Sequence, residues 1–104
     1  MAIDYVIRTK GAFSADEKAA PLKFKTLQQH DEKSGVFTLK GKASARWPEV
    51  ALRFDSDNTL LASVTDAEGK AFRELVAFVK QLKLRHRGLE ITLEGGGRDA
   101  GEDF

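Results

Sequence analysis

Cysteine is missing from all 104 residues, which excludes disulfides, thiolate metal sites and cysteine nucleophiles together and fits a reducing compartment. Long apolar runs are missing as well. The opening MAIDYVIRTKG places an acid at position 4, so neither a secretory signal nor a membrane span is expected, and the cytoplasm is the default location. There is no Gly-x-Ser-x-Gly, no HExxH and no P-loop, and the run Gly95-Gly96-Gly97 opens no helix that could offer an N–H cradle to phosphate. Two prolines, one tryptophan and one tyrosine are sparse punctuation. A net charge of +1 argues against a dedicated polyanion binder. That charge is unevenly spread, with ten Lys or Arg against six acids in residues 1–54 and seven against ten in residues 55–104. A basic face is therefore compatible with the near-neutral total.

The clearest positive signal is the stretch from Thr65 to Gly88. With Phe72 as origin, Ala71, Leu75, Val76, Phe78, Val79 and Leu82 fall within about 160° of a helical wheel, the wide apolar stripe of a core-facing helix. Thr65 with Glu68 three residues on has the form of a capping box, and Lys80, Lys83, Arg85 and Arg87 suit the negative end of the helix dipole. Gly88 is placed to leave the helix at positive φ, and Gly69 is its one weak interior position. A helix of roughly 18 to 20 residues, about 30 Å long, with that much apolar surface needs a sheet to pack on.

The other segments supply one. Ile3, Tyr5 and Ile7 alternate with Asp4, Val6 and Arg8 as a first strand. Leu22, Phe24 and Thr26 alternate with Lys23 and Lys25 as a second, Pro21 standing at its start, and residues 12–20 read as a loop or one helical turn headed by a capping box, Ser14 and Glu17. Gln28 to Gly35 has turn composition. Strands follow over Val36–Lys42, where Gly41 suggests a bulge, a bend or a close backbone approach, then over Val50–Phe54, Thr59–Val64 and Leu89–Glu94. Trp47-Pro48 breaks the pattern between strands. The order is β-β-β-β-β-α-β. Short connections favour antiparallel neighbours, so the expected fold is α+β, a curved antiparallel sheet of five to six strands with one long helix on one face. Residues 1–94 form one domain, and 95–104 read as a flexible Gly-rich acidic tail.

Chemistry is thinly represented. Asp55-Ser56-Asp57-Asn58 resembles a calcium loop only in outline, since the sixth position is Leu60 and the twelfth Asp66, so it reads as a hairpin turn. His30 and His86 have no partners at metal-ligand spacing, and Glu49, Glu90 and Glu94 read as solvent-facing carboxylates. No catalytic residue, metal or cofactor is assigned. Two binding surfaces remain. Trp47, beside Arg46 and Pro48, together with Arg73 and Lys80 on the basic edge of the helix, is a candidate contact for a protein partner, as in an adaptor, inhibitor or accessory subunit. The alternative is single-stranded nucleic acid on Lys23, Lys25, Lys40 and Lys42, recurring at spacing two on two strands, with Lys83 and Arg87 on the helix. Membrane association is not expected, and homo-oligomerisation is left open.

Overall fold

The computed structural model describes residues 2–41, 47–95, 99–101 and 104. Six strands form one antiparallel sheet: β1 (Ile3–Arg8), β2 (Leu27–Asp31), β3 (Val36–Leu39), β4 (Val50–Ser56), β5 (Thr59–Val64) and β6 (Glu90–Leu93). Their spatial order is β2-β3-β4-β5-β1-β6. A short helix, α1 (Ala15–Ala19), runs into a 3₁₀ turn at Ala20–Lys23, and the long helix, α2 (Lys70–Arg85), crosses from β5 to β6. The α+β class and the element order are those the periodicity predicts.

Side chains alternate across the pleat, so register decides which residues share a face. On the covered face, rows of apolar residues cross the strands: Ile91, Ile7, Leu60 and Phe54 in one, Leu93, Tyr5, Ala62, Leu52 and Phe37 in the next, then Val64, Val50, Leu39 and Leu27. The α2 stripe buries Ala71, Phe72, Leu75, Phe78, Val79 and Leu82 in the same core. Burying each large apolar side chain contributes on the order of 1.5 to 3 kcal/mol before the entropy of ordering is subtracted.

Two local expectations are corrected. The second strand is displaced: Leu22 and Lys23 belong to the 3₁₀ turn, Lys25 lies in the loop after it, and β2 occupies Leu27–Asp31, inside the polar stretch expected to turn. Two interactions select this outcome. The Ser14–Glu17 capping box is fully formed at α1, and Glu74 of α2 accepts hydrogen bonds from the Lys25 and Thr26 N–H groups, withdrawing them from any ladder. Leu22 is left exposed, while Phe24 meets Phe78 edge to face at 5.4 Å. A polar strand such as Leu-Gln-Gln-His-Asp survives because it lies at the edge of the sheet, where little of it is buried.

The second correction concerns the entrance to α2. It starts at Lys70 with Gly69 as N-cap, and Thr65 instead donates its hydroxyl to the Pro48 and Glu49 carbonyls. Gly69 is thus a cap and not an interior weakness. Gly88 does take positive φ, at 79°. Of the C-terminal stretch, Gly95, 99–101 and Phe104 are described. Asp99 bridges to Thr92, the Ala100 N–H donates to Ile91, and Phe104 meets Tyr5 edge to face at 4.9 Å and Phe72 at 5.5 Å. These residues cover the outer edge of β6 and add to the core.

Candidate functional site

Two connections, β3–β4 and β5–α2, converge at the end of the sheet where β1 begins and β4 starts. Glu49 organises them. Its N–H donates to Leu39, its carbonyl accepts from the Thr65 and Asp66 N–H groups, and its carboxylate takes the Gly41 N–H. The side chain is 4 % exposed, so the expectation of a solvent-facing carboxylate is wrong here: it is folded in against the N-terminus of α2. A methyl group on Gly69 would collide with Oε1, and one on Gly41 would lie 2.9 Å from Oε2. The close backbone approach suggested by Gly41 is therefore made to this carboxylate. Negative charge beside unpaired helix N–H groups is favourable, which accounts for an acid at the helix start.

Pinned by Glu49 and by the Thr65 hydroxyl on the Pro48 carbonyl, the connection presents Trp47 outward at 70 % exposure. Ile3, paired with Val64, is 44 % exposed at the same end. At this end the start of α2 lines a shallow depression of about 410 Å³ with Gly41, Asp66, Glu68, Lys70 and Arg73. The fold thus brings Trp47 and Arg73 to one end of the molecule. Lys80 stands on the solvent face of α2, about 10 Å further along the helix by its rise. Arg46 lies outside the described residues.

Among the described residues, the lysines expected at alternate strand positions lie outside the strands. Lys23 and Lys25 are not in a strand, Lys40 falls just past β3, and Lys42 lies outside the described residues. What the uncovered face of the sheet carries is mixed charge around an apolar floor: Asp4, Arg8, Arg53, Asp55 and Glu94 around Val6 and Leu61. Lys83 reaches the Phe104 carbonyl at 3.1 Å, and Arg87 is exposed in the turn beyond α2.

Both histidines are engaged separately. His30 is on β2 and not in a turn, stacked on Phe37 with ring centres 4.1 Å apart. His86 caps α2 and sets Nε2 3.0 Å from each oxygen of Glu17, a carboxylate 4 % exposed. Burial opposes ionisation of Glu17, but the Ser14 N–H and the His86 ring outweigh it and hold its carboxyl below the usual value. Glu74 behaves alike: burial opposes, and the hydroxyl and N–H of Thr26 with the N–H of Lys25 prevail. Among the described residues no group of three His, Cys, Asp or Glu could hold a metal ion.

Asp55–Asn58 forms the β4–β5 hairpin, as composition predicts, and does more than turn. Asn58 donates its amide to the Thr9 carbonyl, Asp57 accepts the Phe13 N–H and pairs with Lys18 at 2.8 Å, so the hairpin tip fastens the β1–α1 connection. Comparison with protein-family models, curated proteins and solved structures finds no match. Function therefore rests on the geometry alone. Among the described residues no helix is long and apolar enough to cross a membrane.

Proposed function

We propose that the chain is a non-enzymatic binding module acting through protein contact, as an adaptor, inhibitor or accessory subunit, with Trp47 as its anchor and Arg73 on the neighbouring rim. The observation that carries this reading is the exposure of Trp47. Every other aromatic side chain is at least partly buried: Tyr5, Phe13, Phe37, Phe72 and Phe78 lie in the core, with Phe24, Phe54 and Phe104 against it. The residue that follows the indole is held by the Thr65 hydroxyl on the Pro48 carbonyl, which lowers the backbone entropy to be lost there when a partner covers Trp47. Tryptophan and arginine are also the side chains that most often dominate interface energetics. The acidic and basic groups of the adjoining depression, Asp66, Glu68, Lys70 and Arg73, favour a polar rim around an apolar anchor.

A photo-crosslinking amino acid at position 68, on the rim of the depression and leaving Trp47 in place, introduced into the full chain in its native cell, identifies the partner, whose affinity is then measured against Trp47→Ala. The expected result is a loss of about tenfold or more in affinity with an unchanged melting temperature. Equal binding by Trp47→Ala would remove the anchor from this reading. Titration with a labelled single-stranded oligonucleotide over a salt series tests the competing nucleic-acid role, where tight binding with a steep salt slope would favour phosphate contacts over protein contact.

A further inference from the structure

The face of the sheet opposite α2 is covered by no element among the described residues. Two adjoining depressions on it, of about 280 and 460 Å³, share Arg53, Leu61 and Glu94. Val6 forms part of the floor and is itself 7 % exposed, so apolar contact is available only to a surface that follows the sheet. The charges are ordered about β5. That strand turns only Thr59, Leu61 and Ser63 to the open side, whereas its neighbours carry Asp4 and Arg8 on β1 and Arg53 and Asp55 on β4.

We propose that this face docks a second copy of the chain, about a two-fold axis lying along β5. A two-fold axis brings each residue on it against its own copy, so a charge there is repelled. The open face of β5 has none. The same axis lays β1 of one copy over β4 of the other. Arg8, paired with Thr59, then meets Asp55, at the bulge beside the Ser56–Thr59 pair; Val6 and Arg53, both opposite Leu61, bring an apolar side chain onto the stem of an arginine; Asp4 and Ala51, both opposite Ser63, meet without repulsion. Asp55 is already 3.2 Å from Arg53, so the partner's Arg8 would complete a shared carboxylate. A two-fold across the strands through Leu61 fails: it sets Arg53 on its own copy and Glu90 on Glu94. Two sheets stacked along β5 need cross at only about 30°, the usual angle for aligned sheets.

Five strands spaced ~4.8 Å and about five residues long present a projected area on the order of 400 Å². This is below the ~800 Å² per partner of a standard interface, so a dissociation constant on the order of 10 to 100 μM is expected.

Sedimentation equilibrium of the full chain from about 1 μM to 1 mM, spanning that range, tests the proposal. Wild type is expected to pass from monomer to dimer. Leu61→Asp, Arg8→Asp and Asp55→Lys, each with an unchanged circular dichroism spectrum, are expected to remain monomeric. Mixing Arg8→Asp with Asp55→Lys in equal amounts then restores a dimer, because in the heterodimer one ion pair keeps its native Arg8 and Asp55 and the other, between the two substituted positions, reforms with its charges exchanged. Monomeric wild type at 1 mM, a dimer indifferent to Leu61→Asp, or a mixture that stays monomeric would each overturn it; binding of a peptide or lipid vesicle to this face without self-association would do the same. Leu61→Asp leaves Trp47 untouched, so loss of the dimer and loss of a partner at position 47 are read separately.

Discussion

Glu17 and His86 lie 69 residues apart in sequence and meet with both carboxylate oxygens 3.0 Å from the imidazole Nε2. The contact ties the first helical turn of the chain to the last turn of its long helix. Phe13 closes it from the side, edge to face with the His86 ring at 5.6 Å and with Phe54 at 5.2 Å. The Ser14–Glu17 capping box is thus half of a tertiary clasp.

Acid should loosen that clasp. The folded carboxyl of Glu17 titrates below its ordinary value, so its contribution is complete above the unfolded value of about 4.3 and is lost as pH falls through the lower folded one. Urea unfolding between pH 7 and pH 3 should show wild type losing stability over that lower range, with a shallower loss in Glu17→Gln. At pH 7, Glu17→Ala should cost about 1 to 2 kcal/mol, the usual range for a lost cap. Identical acid profiles for wild type and Glu17→Gln would assign the acid response to other carboxylates.

Glu74 is a latch of a different kind, since its three hydrogen bonds all go to Lys25 and Thr26. Glu74→Ala should destabilise by about 1 to 3 kcal/mol, the penalty for leaving backbone donors without their acceptor. Hydrogen exchange should rise at Lys25 and Thr26 while the N–H groups of β4 and β5 keep their protection. Uniform exchange changes across the sheet would show that the latch is part of the global core.

Gly69→Ala runs against helix propensity. Alanine is the better helix former by ~1 kcal/mol, yet here its methyl meets the Glu49 carboxylate. The expected result is destabilisation by about 1 to 3 kcal/mol, as for overpacking, in thermal or urea unfolding. Gly11→Ala, where nothing lies within 4 Å of the added carbon, serves as the near-neutral control. A stabilised Gly69→Ala would show that Glu49 can move aside without loss.

In the core, Leu75 is fully buried between α2 and the sheet. Leu75→Ala should cost about 2 to 5 kcal/mol by the cavity it leaves, and Phe72→Asp should abolish cooperative folding, both followed by circular dichroism during thermal unfolding. A folded, cooperative Phe72→Asp variant would overturn the placement of α2 on the sheet.

The sequence by itself determined the fold class, the single long helix and the faces that meet in the core, because burial imposes a period of 3.6 on α2 and of 2 on β1, β4 and β5, and that period is written in local residue order. It also determined the Ser14–Glu17 box, the Asp55–Asn58 hairpin and the positive φ of Gly88, which depend on neighbours a few residues away. Tertiary structure alone decided the rest. Whether Leu22–Thr26 or Leu27–Asp31 became β2 depended on Glu74, some fifty residues distant; whether Thr65 or Gly69 capped α2 depended on Pro48 and Glu49. The buried carboxylates of Glu17 and Glu49 carry no local mark, since a charged residue reads as exposed until its distant donors are known. Lysines at alternate positions suggested a shared strand face, but Lys23 ends a 3₁₀ turn and Lys25 lies in the loop before β2, so the pleat that would align their side chains is not there.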